Sequence, residues 1–590
     1  MRSVLDCVWA GRVIGFGGSG SISRNYVKVS RTTLVGVALA IFAGSVWLYW
    51  PSVHGGFLTR MDDDEYLRQS VRVNGLTWKA VTWAFTTTQP YYHPLPRLSH
   101  VLDYRMWGKN AAGHHATGVV VHALNAALLF GFLWTLLGAA ALTTGERLAM
   151  ALGVAVVFAI HPLQAESVAW MSGRTQLLCT TFGIGCLWAY VAGARRWVVW
   201  GLFVAALLCK PMAVSLPFVM LAIDYFPLRR HEQVGWGQLV REKAGAMALA
   251  GVAAAATMIS EARLGGLIVS VETLPVWQRV LLMFHSLAFY PWRLVCPMHL
   301  SPFYPLPSGH SMDLGPVVLS VLGVGMVTGL AVWDRRRMPA AVAGWAAYVF
   351  LVLPVSGLAQ TGLSAASQRY AYLAMVPLLL LAGGAVVWLW RRSATVVHLG
   401  IAGLLACELC VFGVRTRSLI PVWHDDETLW RTVLAQYPDS IVANNAMVMI
   451  LFLHHKMPEA LACAQRYAEL MPQLGEAHNN LGFILAATDR VPEAMKEFEQ
   501  ALRLKPHYAE AHNNFANALM QVGRVEDARQ HYEQAVQIKP RYVDAHLGLG
   551  WALFRLGRRA EAIDHYEQAL EFDPDSVIAS NMLARLRGGQ

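Results

Sequence analysis

The stretch GEAHNNLGFILAATDRVPEAMKEFEQALRLKPHY, residues 475–508, is followed in register by AEAHNNFANALMQVGRVEDARQHYEQAVQIKPRY, residues 509–542. Five prolines, Pro438, Pro472, Pro506, Pro540 and Pro574, recur at a constant interval of 34 residues. Between them small and aromatic side chains hold fixed places. Leu481-Gly482, Ala494, Phe498 and Ala501 are followed by Phe515-Ala516, Ala528, Tyr532 and Ala535, then by Leu549-Gly550, Ala562, Tyr566 and Ala569. Such a period closed by proline predicts pairs of antiparallel helices that bury their apolar faces only by stacking on the next pair. The unit ending at Pro472 keeps Ala460, with Ala464 and Tyr467 in place of the aromatic and the small residue, and Trp423 to Pro438 supplies a half unit.

This is the tetratricopeptide-repeat signature. Packing alone accounts for every small residue and proline in it, so any function must come from the concave face. There the pairs Asn444-Asn445, Asn479-Asn480 and Asn513-Asn514 recur in register. Asn444, Asn479, Asn480, Asn513 and Asn514 are therefore candidates for an acceptor groove gripping an extended peptide. Hydrogen bonding along the helix edges is the competing reading.

Upstream of the repeats the chain reads as membrane. Hydrophobic residues make up 55% and charged residues only 15%, with a mean hydropathy of +0.39, although the polar repeats dilute the average. That composition excludes an ordinary soluble protein. The formal charge of +10 would suggest nucleic acid in a soluble chain, but here the arginines cluster between apolar runs, where topology accounts for them and no nucleic-acid partner is expected. The eight cysteines are scattered and give neither a disulfide framework nor a zinc site.

Apolar runs fall near 31–50, 114–137, 147–161, 174–193, 197–209, 211–227, 244–260, 313–333, 339–354, 370–390 and 394–414. At about 20 residues per crossing they predict about eleven spans, or about twelve if segment 276–295 crosses too. The expected fold is all-α: a cytoplasmic tail (1–30), a polytopic helical bundle (31–415) with an outer loop at 51–113, and a repeat solenoid (416–590). With the first helix retained and the amino terminus inside, Arg195-Arg196, Arg229-Arg230, Arg335 to Arg337 and Arg391-Arg392 all fall on the cytoplasmic side, provided 276–295 does not cross. The long outer loop, the turn after His161, the loop before Tyr370 and the repeats then share the outer face.

Just past the first span lies Met61-Asp62-Asp63-Asp64-Glu65-Tyr66. Four adjacent acids repel and raise one another's pKa unless a cation or hydroxyl network offsets them. Oxygen ligands of this kind can hold a divalent cation; a solvated acidic turn is the plainer reading. The aromatic residues that follow, Trp78, Trp83, Tyr91, Tyr92 and Trp107, suit interfacial anchoring, with sugar stacking for one or two. A second polar run spans His161 to Arg174, where such density between spans is costly unless it lines a cavity. Lys210-Pro211 and Gln368-Arg369-Tyr370 have the same placement. Arg174, Lys210 and Arg369 suit a phosphate headgroup, arginine by paired hydrogen bonds and lysine as a point charge, against simple snorkelling. His93, His161, Glu166 and Tyr370 complete the expected pocket.

The residues Met61 to Leu67, Tyr92-His93-Pro94-Leu95 through Asp103, His114-His115 and His122-Ala123-Leu124-Asn125 resemble bacterial members of the transmembrane and tetratricopeptide-repeat O-mannosyltransferase-like family. So do His161-Pro162-Leu163, Glu166 to Trp170, Lys210 to Pro217, Asp224 to Leu228 and Arg369 to Leu373. The resemblance runs from about residue 50 to the end of the chain. It implies a C-type (GT-C) membrane glycosyltransferase that takes mannose or another hexose from a polyprenyl phosphate, in a bacterial inner membrane with the repeats outside. Asp62 and Asp63 stand where the family has its paired acids, with Asp64 and Glu65 as further candidates. Asp63, then Asp62, is the expected general base for an acceptor hydroxyl, on protein Ser/Thr, while Arg174, Lys210 or Arg369 stabilises the departing lipid phosphate. A single displacement inverts the anomeric carbon.

The chain departs from the family pattern at Arg97, where an uncharged or aromatic residue is expected, and at Gly173-Arg174, where many relatives carry Glu-Arg. These differences bear on the substrate more than on the reaction class. The alternative is a non-catalytic repeat scaffold anchored in the membrane, although an anchor needs only one span. A lipid-linked sugar flippase or transporter is a third reading, but the sequence shows no pair of interrupted helices in matching halves that would mark inverted repeats.

Overall fold

The computed structural model describes residues 29–61, 63, 66, 75–87, 92–263, 274–306, 314–358 and 364–588. Two compact units divide the chain, one ending at Thr432 and the other starting at Val433. In the first, the apolar runs become helices α1 (Arg31–Tyr49), α2 (Trp78–Thr86), α3 (Pro94–Trp107), α4 (Ala111–Leu136), α5 (Thr144–Ile160), α6 (Ala165–Ala169), α7 (Arg174–Val191), α8 (Arg196–Cys209), α9 (Leu216–Tyr225), α10 (Trp236–Arg263), α11 (Val276–Val295), α12 (Leu314–Trp333), α13 (Pro339–Val352), α14 (Ala371–Arg392) and α15 (Thr395–Leu419). A two-strand pairing of β1 (Tyr304–Pro305) with β2 (Ser364–Ala366) ties two loops together. Local chemistry sets the ends. Ser30 caps α1 by accepting from Thr33 N–H at 3.0 Å, and Thr143 and Glu146 form a reciprocal capping box at α5.

Among the described residues, six helical segments are long and apolar enough to cross a bilayer, and seven if the pair Thr144–Ile160 and Pro162–Ala169, bent by 53°, counts as one. The protein is thus a multi-pass membrane protein. The expected count of about eleven is not met by this measure, for a geometric reason. Helices α8 and α13 have 14 residues and α9 has 10; at 1.5 Å per residue these rise roughly 15–21 Å, short of the roughly 30 Å hydrocarbon core. The breaks come at His161-Pro162, Lys210-Pro211 and Leu353-Pro354, where proline removes a backbone donor and turns the chain. Segment 276–295, here α11, carries Arg279 and Arg293 and is not among the candidate spans.

Opposite ends of the bundle differ in chemistry. At one end Arg391 holds Glu146 at 2.6 Å, and buried Asp224 takes Lys243 at 2.5 Å, Tyr190 at 2.6 Å and Arg230 at 3.2 Å. The other end carries Asp63 and the turn after His161. Asp426 lies there too, its carboxylate accepting from Thr59 N–H at 2.9 Å and Arg60 N–H at 3.1 Å, and Trp423 stacks on Trp170. These contacts draw the start of α16 (Asp426–Gln436) into the first unit.

The second unit contains α17 (Ile441–Leu453), α18 (Met457–Leu470), α19 (Gly475–Ala487), α20 (Val491–Leu504), α21 (Ala509–Gln521), α22 (Val525–Ile538), α23 (Val543–Arg555), α24 (Arg559–Phe572) and α25 (Val577–Arg587). The fixed small residues are there for close approach: a Cβ on Gly482 would stand 2.7 Å from the Phe498 ring. Three of the turn prolines, Pro472, Pro506 and Pro540, are each held by a histidine of the next helix. His478, His512 and His546 place Nε2 at 3.1, 3.0 and 2.9 Å from the carbonyls of Pro472, Pro506 and Pro540. A carbonyl only accepts, so Nε2 carries the proton. The Nδ1 atoms of His512 and His546 then accept from Nδ1 of His531 and His565, at 3.0 and 3.1 Å. The asparagines correct the acceptor-groove expectation in part. Asn444, Asn479 and Asn513 are buried, while Asn480 and Asn514 are partly exposed and bond to Asn445 at 2.9 Å and Asn479 at 3.0 Å.

These histidine pairs give the repeats a pH dependence of definite sign. Burial, then the neighbouring His512, pushes His531 down to about 4, and His565 is lowered by burial and His546. Between about 6.5, the unfolded value, and 4 the unfolded chain binds protons that the folded pair refuses, so stability is complete above 6.5 and falls as pH drops through that window. The unfolding temperature of the repeat unit in the full-length protein is expected to fall from pH 6.5 to 4, and to fall less in the His531→Gln, His565→Gln double variant. Parallel curves for the two proteins would refute the assignment.

Candidate functional site

Every residue from His161 to Gln176 is buried, though eight of them carry polar side chains: His161, Gln164, Glu166, Ser167, Ser172, Arg174, Thr175 and Gln176. A polar group removed from water costs several kcal/mol, on the order of 2–7, unless something bonds to it. This segment is built from single turns, Pro162–Gln164, α6 and Met171–Gly173, before α7 begins. The chain folds back so tightly that a Cβ at Gly173 would meet the Ser167 carbonyl oxygen at 2.4 Å, so glycine is required there. Partners come from three distant segments.

The first is the acidic loop. Asp63 is fully buried, and its carboxylate accepts from Leu58 N–H at 3.0 Å, Ser172 N–H at 3.1 Å and Ser172 Oγ–H at 2.5 Å. Those bonds fill three of the roughly four acceptor positions of a carboxylate. Asp63 thereby anchors the loop to the turn. Asp62, Asp64 and Glu65 lie outside the described residues.

The second is α3. Arg174, 1% exposed, donates through Nη1 to Asp103 and through Nη2 to the His114 carbonyl, while Thr117 Oγ1 bonds the other Asp103 oxygen at 3.0 Å. Breaking a buried pair by removing one partner costs roughly 3–5 kcal/mol. Arg174 is therefore committed to Asp103 and is not placed as an open phosphate clamp, contrary to expectation.

The third partner is the loop before α14. Glu166, fully buried, accepts from Ser367 Oγ–H at 2.6 Å, Arg369 Nη1 at 2.7 Å and Arg369 N–H at 3.1 Å. The Arg369 side chain keeps 26% of its surface, and its guanidinium lies 5.1 Å from the Trp170 ring and 5.3 Å from the Tyr370 ring. Lys210 approaches the same Tyr370 ring at 5.0 Å and donates to Gln176 at 3.1 Å. Two cations thus approach one aromatic ring, and both are partly exposed. His93 belongs to this neighbourhood. Loss of water, then the charges of Lys210 and Arg97, pushes it down to about 3, so it is neutral at physiological pH, and its Nδ1 meets the Tyr66 hydroxyl at 3.3 Å.

The expected residues thus separate. Asp63, Glu166, Lys210, Arg369 and Tyr370 gather around the buried turn, with His93 beside Lys210. His161 does not offer a ligand atom: Nε2 donates to the Leu294 carbonyl at 3.0 Å and Nδ1 accepts from Leu163 N–H at 3.1 Å, so it caps the Pro162 turn. The sequence reading gave no role to Asp103 or Ser172. The one hint was local, since Asp103 follows His100 by three residues on α3, which puts both on one helix face. A separate cavity of about 550 Å³ lies at the opposite end of the bundle, lined by Tyr190, Arg196, Arg229, Arg230, Glu242 and Lys243 among others.

Residues 473–541 and 513–577 match the family described as Tetratricopeptide repeat. Human protein O-mannosyl-transferase TMTC4 is 28% identical over 149 residues, 22% of this chain and 20% of that protein. Drosophila melanogaster protein O-mannosyl-transferase Tmtc1 is 32% identical over 134 residues, 21% of this chain and 14% of that protein. Human protein O-mannosyl-transferase TMTC1 is 22% identical over 532 residues, 79% of this chain and 58% of that protein. The matched part is thus less than two thirds of each of these relatives. Among solved structures, the crystal structure of MamA is 23% identical with a TM-score of 0.23, covering 25% of this chain and 85% of that one. The chain carries tetratricopeptide repeats and is homologous, at low identity, to proteins named protein O-mannosyl-transferases.

Proposed function

We propose that this protein is a C-type glycosyltransferase that moves a hexose, mannose first, from a polyprenyl phosphate to a Ser or Thr hydroxyl of a protein. The observation that carries the reading is the pair of partly exposed cations, Lys210 and Arg369, that both approach the Tyr370 ring at the end of the bundle that holds Asp63. A lipid phosphate leaving the sugar develops charge that such cations stabilise. Glu166 fixes Arg369 from behind, so the guanidinium is aimed before substrate arrives. Neutral His93 adds no charge of its own beside Lys210.

The roles of the acids divide. Asp63 spends its carboxylate on Leu58 and Ser172 and acts as the positioning group. Asp62 then takes the proton of the attacking hydroxyl, with Asp64 and Glu65 next to it in sequence. One displacement inverts the anomeric carbon, and a phosphate leaving group needs no acid. The repeats present the protein acceptor, with Asn480 and Asn514 available to an extended backbone.

Full-length protein reconstituted with polyprenyl-phosphate mannose and a Ser/Thr peptide tests this. Asp62→Asn is expected to lower kcat by about 10²–10⁴-fold with an unchanged unfolding temperature. Asp63→Asn is expected to lose activity and stability together. Lys210→Ala is expected to raise KM for the donor about 10–100-fold, since a hydrogen bond to a charged group is worth roughly 1.5–3 kcal/mol. Transfer that survives in Asp62→Asn and Lys210→Ala alike would overturn these residue roles, and no transfer by the unmutated protein would leave the scaffold reading. A reporter fused after residue 415 should be active only outside the cytoplasm; cytoplasmic activity would overturn the shared outer face.

A further inference from the structure

His100, Asp103 and His114 form a set that the reaction above leaves unused. His100 and Asp103 share one face of α3, and His114 stands in the first turns of α4. Their candidate ligand atoms lie within 4.8 Å of one another, and none of the three is more than 2% exposed. Hydrogen bonding fixes which atoms are bare. His114 Nε2 faces the Gly108 carbonyl at 3.0 Å, so Nε2 carries the proton, and in the neutral ring Nδ1 is a lone pair. That lone pair stands 3.7 Å from Asp103 Oδ2, itself an acceptor. The two are too far apart for a hydrogen bond and, without a cation between them, repel. Both ring nitrogens of His100, and Nδ1 of His114, lack any partner among the described residues.

The spacing fits a metal. Two ligand atoms on one tetrahedral cation, with bonds of about 2.0–2.1 Å, lie roughly 3.3–3.5 Å apart, close to what separates His114 Nδ1 from Asp103 Oδ2. Outer partners are in place as well: the Gly108 carbonyl fixes the His114 tautomer, and Arg174 and Thr117 orient the Asp103 carboxylate. We infer that His100, Asp103 and His114 bind one divalent transition-metal ion of the zinc type, through two imidazole nitrogens and one carboxylate oxygen, with an open fourth position. Arg174 does not block it, because each carboxylate oxygen has two lone pairs and the guanidinium engages one of those on Oδ2. Its positive charge does weaken the site relative to one without it. Bound there, the ion staples α3 to the start of α4 beside the buried turn. This inference stands independently of the glycosyltransferase reading.

The test uses full-length protein purified in detergent without a polyhistidine tag, loaded with zinc and dialysed, then with cobalt. The expected result is about one zinc per chain and, with cobalt, the visible absorption of a four-coordinate nitrogen/oxygen site. His100→Ala and His114→Ala are each expected to weaken cobalt binding more than about tenfold. A chain that retains no zinc and shows no such cobalt band overturns the proposal, as a proton on His114 would then fill the gap. Metal uptake undiminished in the His100→Ala, His114→Ala double variant also overturns it. If the variants fail to fold, X-ray absorption at the zinc edge of the unmutated protein decides: two imidazoles and an oxygen support the site, and any other ligand set overturns it.

Discussion

Burying a run of polar side chains between two apolar helices is costly without partners, and the turn from His161 to Gln176 meets most of that demand, with Ser167 Oγ among the atoms left over in the described residues. No single neighbouring element supplies what the turn needs. Asp63 answers Ser172, Asp103 answers Arg174, and Arg369 with Ser367 answers Glu166. Each bond reaches across many residues, and together they draw the outer loop, α3 and the loop before α14 to one place. Losing one partner of such a pair leaves a charge stranded at a cost of roughly 3–5 kcal/mol, which is a large part of the stability of a typical domain.

The same bonds sort the charged residues into those that hold the structure and those left for a ligand. Arg174 and Asp63 are bonded to partners within the protein and have little or no exposed surface. Lys210 and Arg369 are also engaged, yet each keeps exposed surface and rests against an aromatic ring that shields one side from water. A cation partly stripped of water and aimed by a buried carboxylate is better matched to a phosphate than one swinging freely, because less orientational freedom is lost on binding.

Much of this was legible in the sequence where the signal is local. The runs read at 313–333 and 339–354 became Leu314–Trp333 and Pro339–Val352, because apolar length and flanking arginines are properties of the segment itself. The repeat positions were equally plain, since Gly482 meets Phe498 and Gly550 meets Tyr566 at the same place in their copies. What escaped was pairing at a distance. Arg174 and Asp103 are 71 residues apart and Glu166 and Arg369 are 203 apart, and nothing in either segment names its partner. An arginine next to a membrane therefore looked like a phosphate ligand when it was a structural brace. The asparagines differ for a related reason: residues repeating in register need not be equally accessible, and Asn479 and Asn513 are buried while Asn480 and Asn514 keep exposed surface.

The most direct measurement is an experimental structure of the full-length protein with an unreactive polyprenyl-phosphate sugar bound. The account requires the phosphate between Lys210 and Arg369, against Tyr370, with the sugar turned toward the loop that Asp63 anchors. Phosphate found instead in the arginine-lined cavity at the opposite end, beside Arg196, Arg229 and Arg230, would contradict it.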